Sequence, residues 1–170
     1  MRPATIPHLR ALRAAQPERK IAVEAGASLA EARETAAKAR EHVQVLFAVD
    51  TLEFLHRGGR IGGGARLLGS ALNIKPILEI QNGHVEPLEK VRTRRKSLLR
   101  MLEIVKERVN GQSPIRVSVL HANCLEDAIW LLDETARTFP VEDRILTEVS
   151  PVIGTHVGPG TVGMAFMVGM

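Results

Sequence analysis

Apolar positions along this chain follow two periods. In "SLAEARETAAKAREHV", Leu29, Ala32, Ala36 and Ala39 recur at the three-to-four spacing of one helix face. Ser28 and Glu31, three apart at its start, form a capping-box signature. The spacing predicts a helix with a small-residue face suited to close packing on a sheet. "VQVLFAVDTL" is instead a β-rich apolar run, the mark of a buried strand. "DTLEFLHR" turns into a short helix ended by Gly58 and Gly59, and "ARLLGSALN" predicts another that closes at Asn73. "IKPILEI" and "QNGHVEPLEKVRT" read as a hairpin, with Asn82-Gly83 supplying the turn with φ > 0. Leu98, Leu102, Val105 and Val109 form the stripe of a long helix. "IRVSVLHA" is a further buried strand. Asn123 with Glu126 is expected to cap a helix whose apolar face is Leu125, Ala128, Ile129, Leu132, Ala136 and Phe139. Two last strands are expected around Arg144–Ile153 and Thr161–Val168. The order α-β-α-α-β-β-α-β-α-β-β predicts an α/β fold, a mixed β-sheet covered by helices.

Composition narrows what such a fold can hold. The 170 residues are 45% hydrophobic and 25% charged, ordinary for a folded domain, but include only four Phe, one Trp and no Tyr. The core and any apolar cavity are therefore aliphatic, and stacking platforms for nucleic-acid bases are few. The net charge of +4 fits an anionic partner, and equally a basic surface without one. A single cysteine, Cys124, excludes an internal disulfide and a multi-cysteine metal site. It reads as a buried small residue. No apolar run reaches the length of a membrane span, and the N-terminus lacks the apolar centre of a secretory signal, so a cytoplasmic location is the expectation. Residues 1–20 carry three prolines and five Arg or Lys with little periodicity. They predict a leader over 1–24, with a short helix around Leu9–Ala15, ahead of one domain over 25–170.

Two glycine-rich segments raise questions of chemistry. "GTHVGPGTVG" contains G-x-G-x-x-G at Gly158, Gly160 and Gly163. A dinucleotide-binding turn needs a helix beginning inside that pattern and an acid about 20 residues on. Here a β-branched alternating segment follows, so the nucleotide reading fails. What remains is a stiff Gly-Pro-Gly turn between two strands, with His156 just ahead of it. The imidazole is either exposed by chance or a donor to an anion. "HRGGRIGGG" places Arg57 and Arg60 among five glycines in seven residues. It lacks the ending of a P-loop. Its backbone N–H groups, Gly59 among them, and Arg60 either serve a bound anion or belong to a flexible connection.

"KVRTRRK" holds five basic residues in seven positions. If the strand continues, Lys90 and Arg92 share a face. Thr93 is a plausible N-cap that puts Arg94, Arg95 and Lys96 in the first helical turn, where cations oppose the helix dipole. A bound anion or acidic partner would offset that cost. The other reading is a solvated basic helix end. Asp50 reads as a helix-capping carboxylate more readily than as an acid or base. His8, His42, His56, His84 and His121 are too scattered to propose a metal site, and no nucleophile–base pair or nucleotide motif supports catalysis.

Four collinear segments, "FAVDTLEFLHRGGRIG", "LLGSALNIKPIL", "NGHVEPLEKVRTRRKSL" and "GTHVGPGTVGMAF", resemble the DegV family of bacterial fatty-acid-binding proteins. The resemblance covers the C-terminal half of such a protein, from about Ala25 to Met167. It implies a protein without enzymatic activity or cofactor that buries the tail of a long-chain fatty acid such as palmitate or oleate. It implies as partner a separate fatty acid kinase that makes the acyl phosphate for phospholipid synthesis. Carried over by position, His156 would hydrogen-bond the carboxylate or acyl phosphate. Arg60 and Arg92 would serve the head group or the kinase-docking surface. Ile153 would lie beside the head, with Gly59 and Gly158 in the flanking turns. Leu55, Ile61, Leu67, Leu68, Leu72 and Ile74 are the candidates for the tail pocket. Burial of each CH₂ contributes about 0.8 kcal/mol, so an aliphatic tunnel holds such a chain tightly.

The family's N-terminal domain, with its Asp-Ser-Thr-like opening and Ser/Thr loops, has no match here. The expectation is a natural half, a truncated product or an excised domain, with part of the head-group clamp missing. The face where that domain would pack could drive dimerisation. The alternative function is an interaction module that keeps the fold without binding lipid on its own.

Overall fold

The computed structural model describes residues 24–67 and 74–169. The expected leader helix around Leu9–Ala15, the closure at Asn73, Leu68 and Leu72 lie outside the described residues. Six strands, β1 (Val43–Ala48), β2 (Lys75–Gln81), β3 (His84–Val91), β4 (Ile115–Ala122), β5 (Val141–Glu148) and β6 (Thr161–Val168), form one sheet in the order β3-β2-β1-β6-β4-β5. Every neighbouring pair is antiparallel except β4 and β5, which are parallel. The helices are α1 (Leu29–His42), α2 (Glu53–Arg57), α3 (Arg94–Val109), α4 (Leu125–Thr138) and α5 (Pro151–Val157), with a 3-10 helix over Gly62–Leu67. The fold is the expected α/β arrangement with a mixed sheet.

Local signals set most of these elements. Ser28 and Glu31 close the capping box reciprocally, and the Thr93 side chain accepts from the Lys96 N–H at the start of α3. Asn82 and Gly83 take φ 49° and 82°, joining β2 to β3 in a hairpin. Strand β6 lies at the centre of the sheet and is buried along its whole length. Its even positions, Val162, Met164, Phe166 and Val168, meet Leu98, Met101 and Val105 of α3 and Leu131 of α4 in the main core. On the opposite face Ala39 of α1 meets Met167 at one end of the sheet. Phe47, Val49, Leu78 and Ala122 are covered at the other end by α2, the 3-10 helix and α5.

Four expectations change. The segment around Val149–Ile153 is not the end of a strand: β5 stops at Glu148, and Pro151–Val157 forms α5. Ser150 followed by Pro151 is a helix start, because proline at the first helical position gives up no hydrogen bond. The buried face of α4 is rotated toward Leu131 and Thr135, leaving Leu125 49% and Ile129 42% exposed. Asn123 takes φ 54° and Cys124 is the N-cap of α4, with no side-chain capping bond. Leu29 is 89% exposed, so the packing face of α1 is Ala32 and Ala39.

Candidate functional site

The ends of β1, β4 and β6 lie side by side at one edge of the sheet, where Ala48 pairs with Val162 and Ala122 with Thr161. The chain leaves β1 into α2 and enters β6 from α5, so these two short helices meet above that edge. Helix α2 ends in a Schellman arrangement: the Arg60 N–H donates to the Leu55 carbonyl (2.8 Å) and the Gly59 N–H to that of His56 (3.0 Å). Gly59 takes φ +64°, the left-handed conformation this stop needs. The Arg60 side chain then folds back over the turn, with Nη1 donating to the Gly58 carbonyl (2.7 Å).

The two helices dock by exchanging rings onto glycines. A Cβ on Gly58, the C-cap of α2, would lie 2.2 Å from Nδ1 of His156 on α5. A Cβ on Gly158, the C-cap of α5, would lie 2.3 Å from Cδ2 of Phe54 on α2. Each helix thus ends at a glycine that seats an aromatic ring of the other. His156 and Arg60 both contact Gly58, one at its Cα and the other at its carbonyl. His156 therefore stands in the last turn of a helix rather than on a loop between strands. Its Nδ1 is buried without a hydrogen-bond partner.

Beneath this pair lies an aliphatic cluster. Leu55 and Leu67 are buried in it with Phe47, Val49, Leu52 and Val157, and Ile61, Ile74 and Ile153 pack against it. Five expected residues, Leu55, Ile61, Leu67, Ile74 and Ile153, are thus brought together in one cluster, to which the two helices that carry His156 and precede Arg60 contribute. Arg92 is not among them. It lies just past the end of β3 and is exposed, so the strand does not carry it onto a face shared with Lys90. The glycines after Arg60 belong to the 3-10 helix and not to a loose connection. A Cβ on Gly62 would lie 2.3 Å from the Val85 carbonyl oxygen, and one on Gly63 would meet the Glu86 carboxylate. Their role is close packing of the 3-10 helix on β3, which Arg66 reinforces by pairing with Glu86 (3.3 Å).

A polar network borders the site. Asp50 does not cap α2. The Thr51 hydroxyl accepts from the Glu53 N–H (3.2 Å), while the Asp50 carboxylate pairs with Lys75 (3.1 Å) and stands 3.8 Å from Arg94. Arg94 also donates through Nε to Asp127 (2.8 Å), so this one of the three cations opening α3 is paired with acids from the segment after β1 and from α4. Arg95 stacks over Trp130 at 3.7 Å from the ring centre. Cys124 donates to the Thr161 carbonyl (3.2 Å). Burial pushes its thiol above the usual range, and the neighbouring Arg94 offsets part of that rise. Sequence reasoning missed Gly58 and Phe54, whose contacts join segments about 100 residues apart. Among the described residues no cluster of His, Cys, Asp and Glu could hold a metal ion, and no helix is long and apolar enough to cross a membrane.

Residues 11–168 match the family model described as "Uncharacterised protein, DegV family". A DegV domain-containing protein of Streptomyces coelicolor is 42% identical over 142 residues, which are 83% of this chain and 50% of that protein. The solved structure titled "Fatty Acid Binding of a DegV family Protein from Thermus thermophilus" superposes with a TM-score of 0.84 at 34% identity, covering 88% of this chain and 54% of that one. The structure of DegV from Bacillus subtilis, described as a fatty acid binding protein, gives 0.76 at 31% identity, covering 89% and 54%. This chain spans about half the length of the curated relatives it matches.

Proposed function

Because this chain belongs to the DegV family, we propose that residues 25–170 form a lipid-binding domain that holds a long-chain fatty acid. The observation that carries this reading is the pairing of an imidazole and a guanidinium on Gly58 above an aliphatic cluster. That arrangement offers donors to a carboxylate and apolar surface to its tail. His156 and Arg60 bind the head group, Ile153 flanks it, and Gly59 and Gly158 shape the turns around it. Leu55, Ile61, Leu67 and Ile74 line the tail pocket, and Leu68 and Leu72 are further candidates for it. A buried tail of about 15 methylenes gains roughly 12 kcal/mol before the costs of association. The solved relatives named for fatty acid binding support the same ligand class.

The protein acts as a carrier, not as an enzyme, and takes no cofactor. It presents the carboxylate to a fatty acid kinase for acyl-phosphate formation, and exposed Arg92 belongs to the docking surface. The site tests through two variants. His156→Ala and Arg60→Ala each remove a charge-assisted hydrogen bond worth about 1.5–3 kcal/mol, a loss of roughly 10- to 100-fold in oleate affinity. Unchanged affinity in both would remove these residues from the site.

A second reading has its own support. Leu55 and Leu67 are 2% and 7% exposed within a filled cluster, so a tail enters only if that cluster opens. A chain in which it stays shut is a DegV-fold interaction module without lipid binding of its own. Edge strand β5, which no further strand borders among the described residues, gives such a module an edge on which a second copy can pair.

A further inference from the structure

Gly58 is a glycine whose backbone does not need one. Its φ of −77° and ψ of −4° are helical and open to any residue. Its N–H donates to the Phe54 carbonyl (2.9 Å) and its own carbonyl accepts from Arg60 (2.7 Å), so both of its polar groups are engaged. What the position requires is the missing Cβ, which would lie 2.2 Å from Nδ1 and 3.1 Å from Cε1 of His156. In glycine a Cα–H bond takes that direction and points at Nδ1, a nitrogen that is buried and has no hydrogen-bond partner.

This contact distinguishes the two neutral forms of the ring. With its hydrogen on Nδ1, the ring would set N–H against C–H and bury a donor without an acceptor. With its hydrogen on Nε2, it turns a lone pair toward the Cα–H, a weak attraction. The nitrogen that carries the proton is set by what the other one meets. We propose that Gly58 is a positioning residue that fixes neutral His156 as the Nε2–H tautomer, so that the ring offers the ligand one donor. A carboxylate, which presents only acceptor lone pairs, is the head group that matches it. The ligand in this inference rests on the fatty-acid reading; the tautomer does not.

Long-range proton–nitrogen NMR of the lipid-free 170-residue chain reads the tautomer directly. His156 is expected to show a protonated Nε2 and an unprotonated Nδ1. Gly58→Ala should displace the ring and give the mixed pattern of an exposed histidine such as His42. It should also weaken oleate binding on the order of tenfold. Gly58→Ala should lower the thermal midpoint clearly in the wild-type background and far less beside His156→Ala. The 3.1 Å approach of the new methyl to the Phe54 carbonyl is common to both backgrounds and cancels in that comparison. A protonated Nδ1 in the wild-type spectrum overturns the inference even if Gly58→Ala does not fold. An equal loss of midpoint in the two backgrounds also overturns it. The expected tautomer with no oleate binding by the wild type would instead overturn the fatty-acid reading and leave the role of Gly58 standing.

Discussion

Replacing Gly158 by alanine attacks the docking of α5 on α2 in two separable ways. The backbone there takes φ +79° and ψ 163°, a region held almost only by glycine. Forcing an L side chain into it costs about 1–3 kcal/mol. The new Cβ would also lie 2.3 Å from Cδ2 and 2.8 Å from Cγ and Cε2 of Phe54. The ring must leave its seat, which adds about 1–3 kcal/mol of overpacking. The sum, roughly 2–6 kcal/mol, lowers the thermal midpoint by about 4–24 °C, at about 2–4 °C per kcal/mol for a domain of this size. Thermal unfolding followed by circular dichroism measures it, with Phe54→Ala as the second arm. In the Phe54→Ala background the steric part is gone and only the backbone part remains, so Gly158→Ala should cost about half as much. A midpoint within 1 °C of wild type, or an equal cost in both backgrounds, would refute the ring-on-glycine account of the helix pair.

Cys124 reacts through its thiolate, which burial disfavours. Iodoacetamide at pH 8 should therefore label the folded chain several-fold more slowly than the urea-unfolded chain, and equal rates would contradict the burial. The Arg100 guanidinium holds Glu89 below the ordinary carboxylate range through hydrogen bonds (2.7–3.0 Å). For a depressed carboxylate the stabilisation is present above the unfolded-state pKa and is lost as pH falls through the lower folded value. Because the pair is about a third exposed, its share is at most about 1 kcal/mol. Glu89→Gln should thus lower the midpoint slightly at pH 7 and match wild type near pH 2; a gap that persists in acid would contradict the sign.

The fold was legible where local chemistry decides it. The Ser28 box, the Asn82-Gly83 turn, the Thr93 cap and the bounds of β6 all sit where their residues predict. The glycine pattern at 158–163 was correctly refused as a nucleotide site, since β6 follows it. Helix α5 escaped because Val149, Val152 and Ile153 are β-branched, although Ser150-Pro151 was there as a start signal. The reach of Asp50 to Lys75 and Arg94 joins β1 to segments 25 or more residues away, which no spacing reveals. The same holds for the seat of His156 on Gly58. The sequence supplied the candidate residues, and the crossing of two short helices decides which of them touch.

On the proposed function, this half-length chain retains a fatty acid by itself. Organic extraction of the purified 170-residue protein, followed by mass spectrometry and by uptake of added palmitate or oleate, tests it most directly. Near-stoichiometric recovery of a C16–C18 acid is expected, or saturable uptake when the protein is first stripped. Recovery of none, together with no uptake by a folded sample, would contradict it.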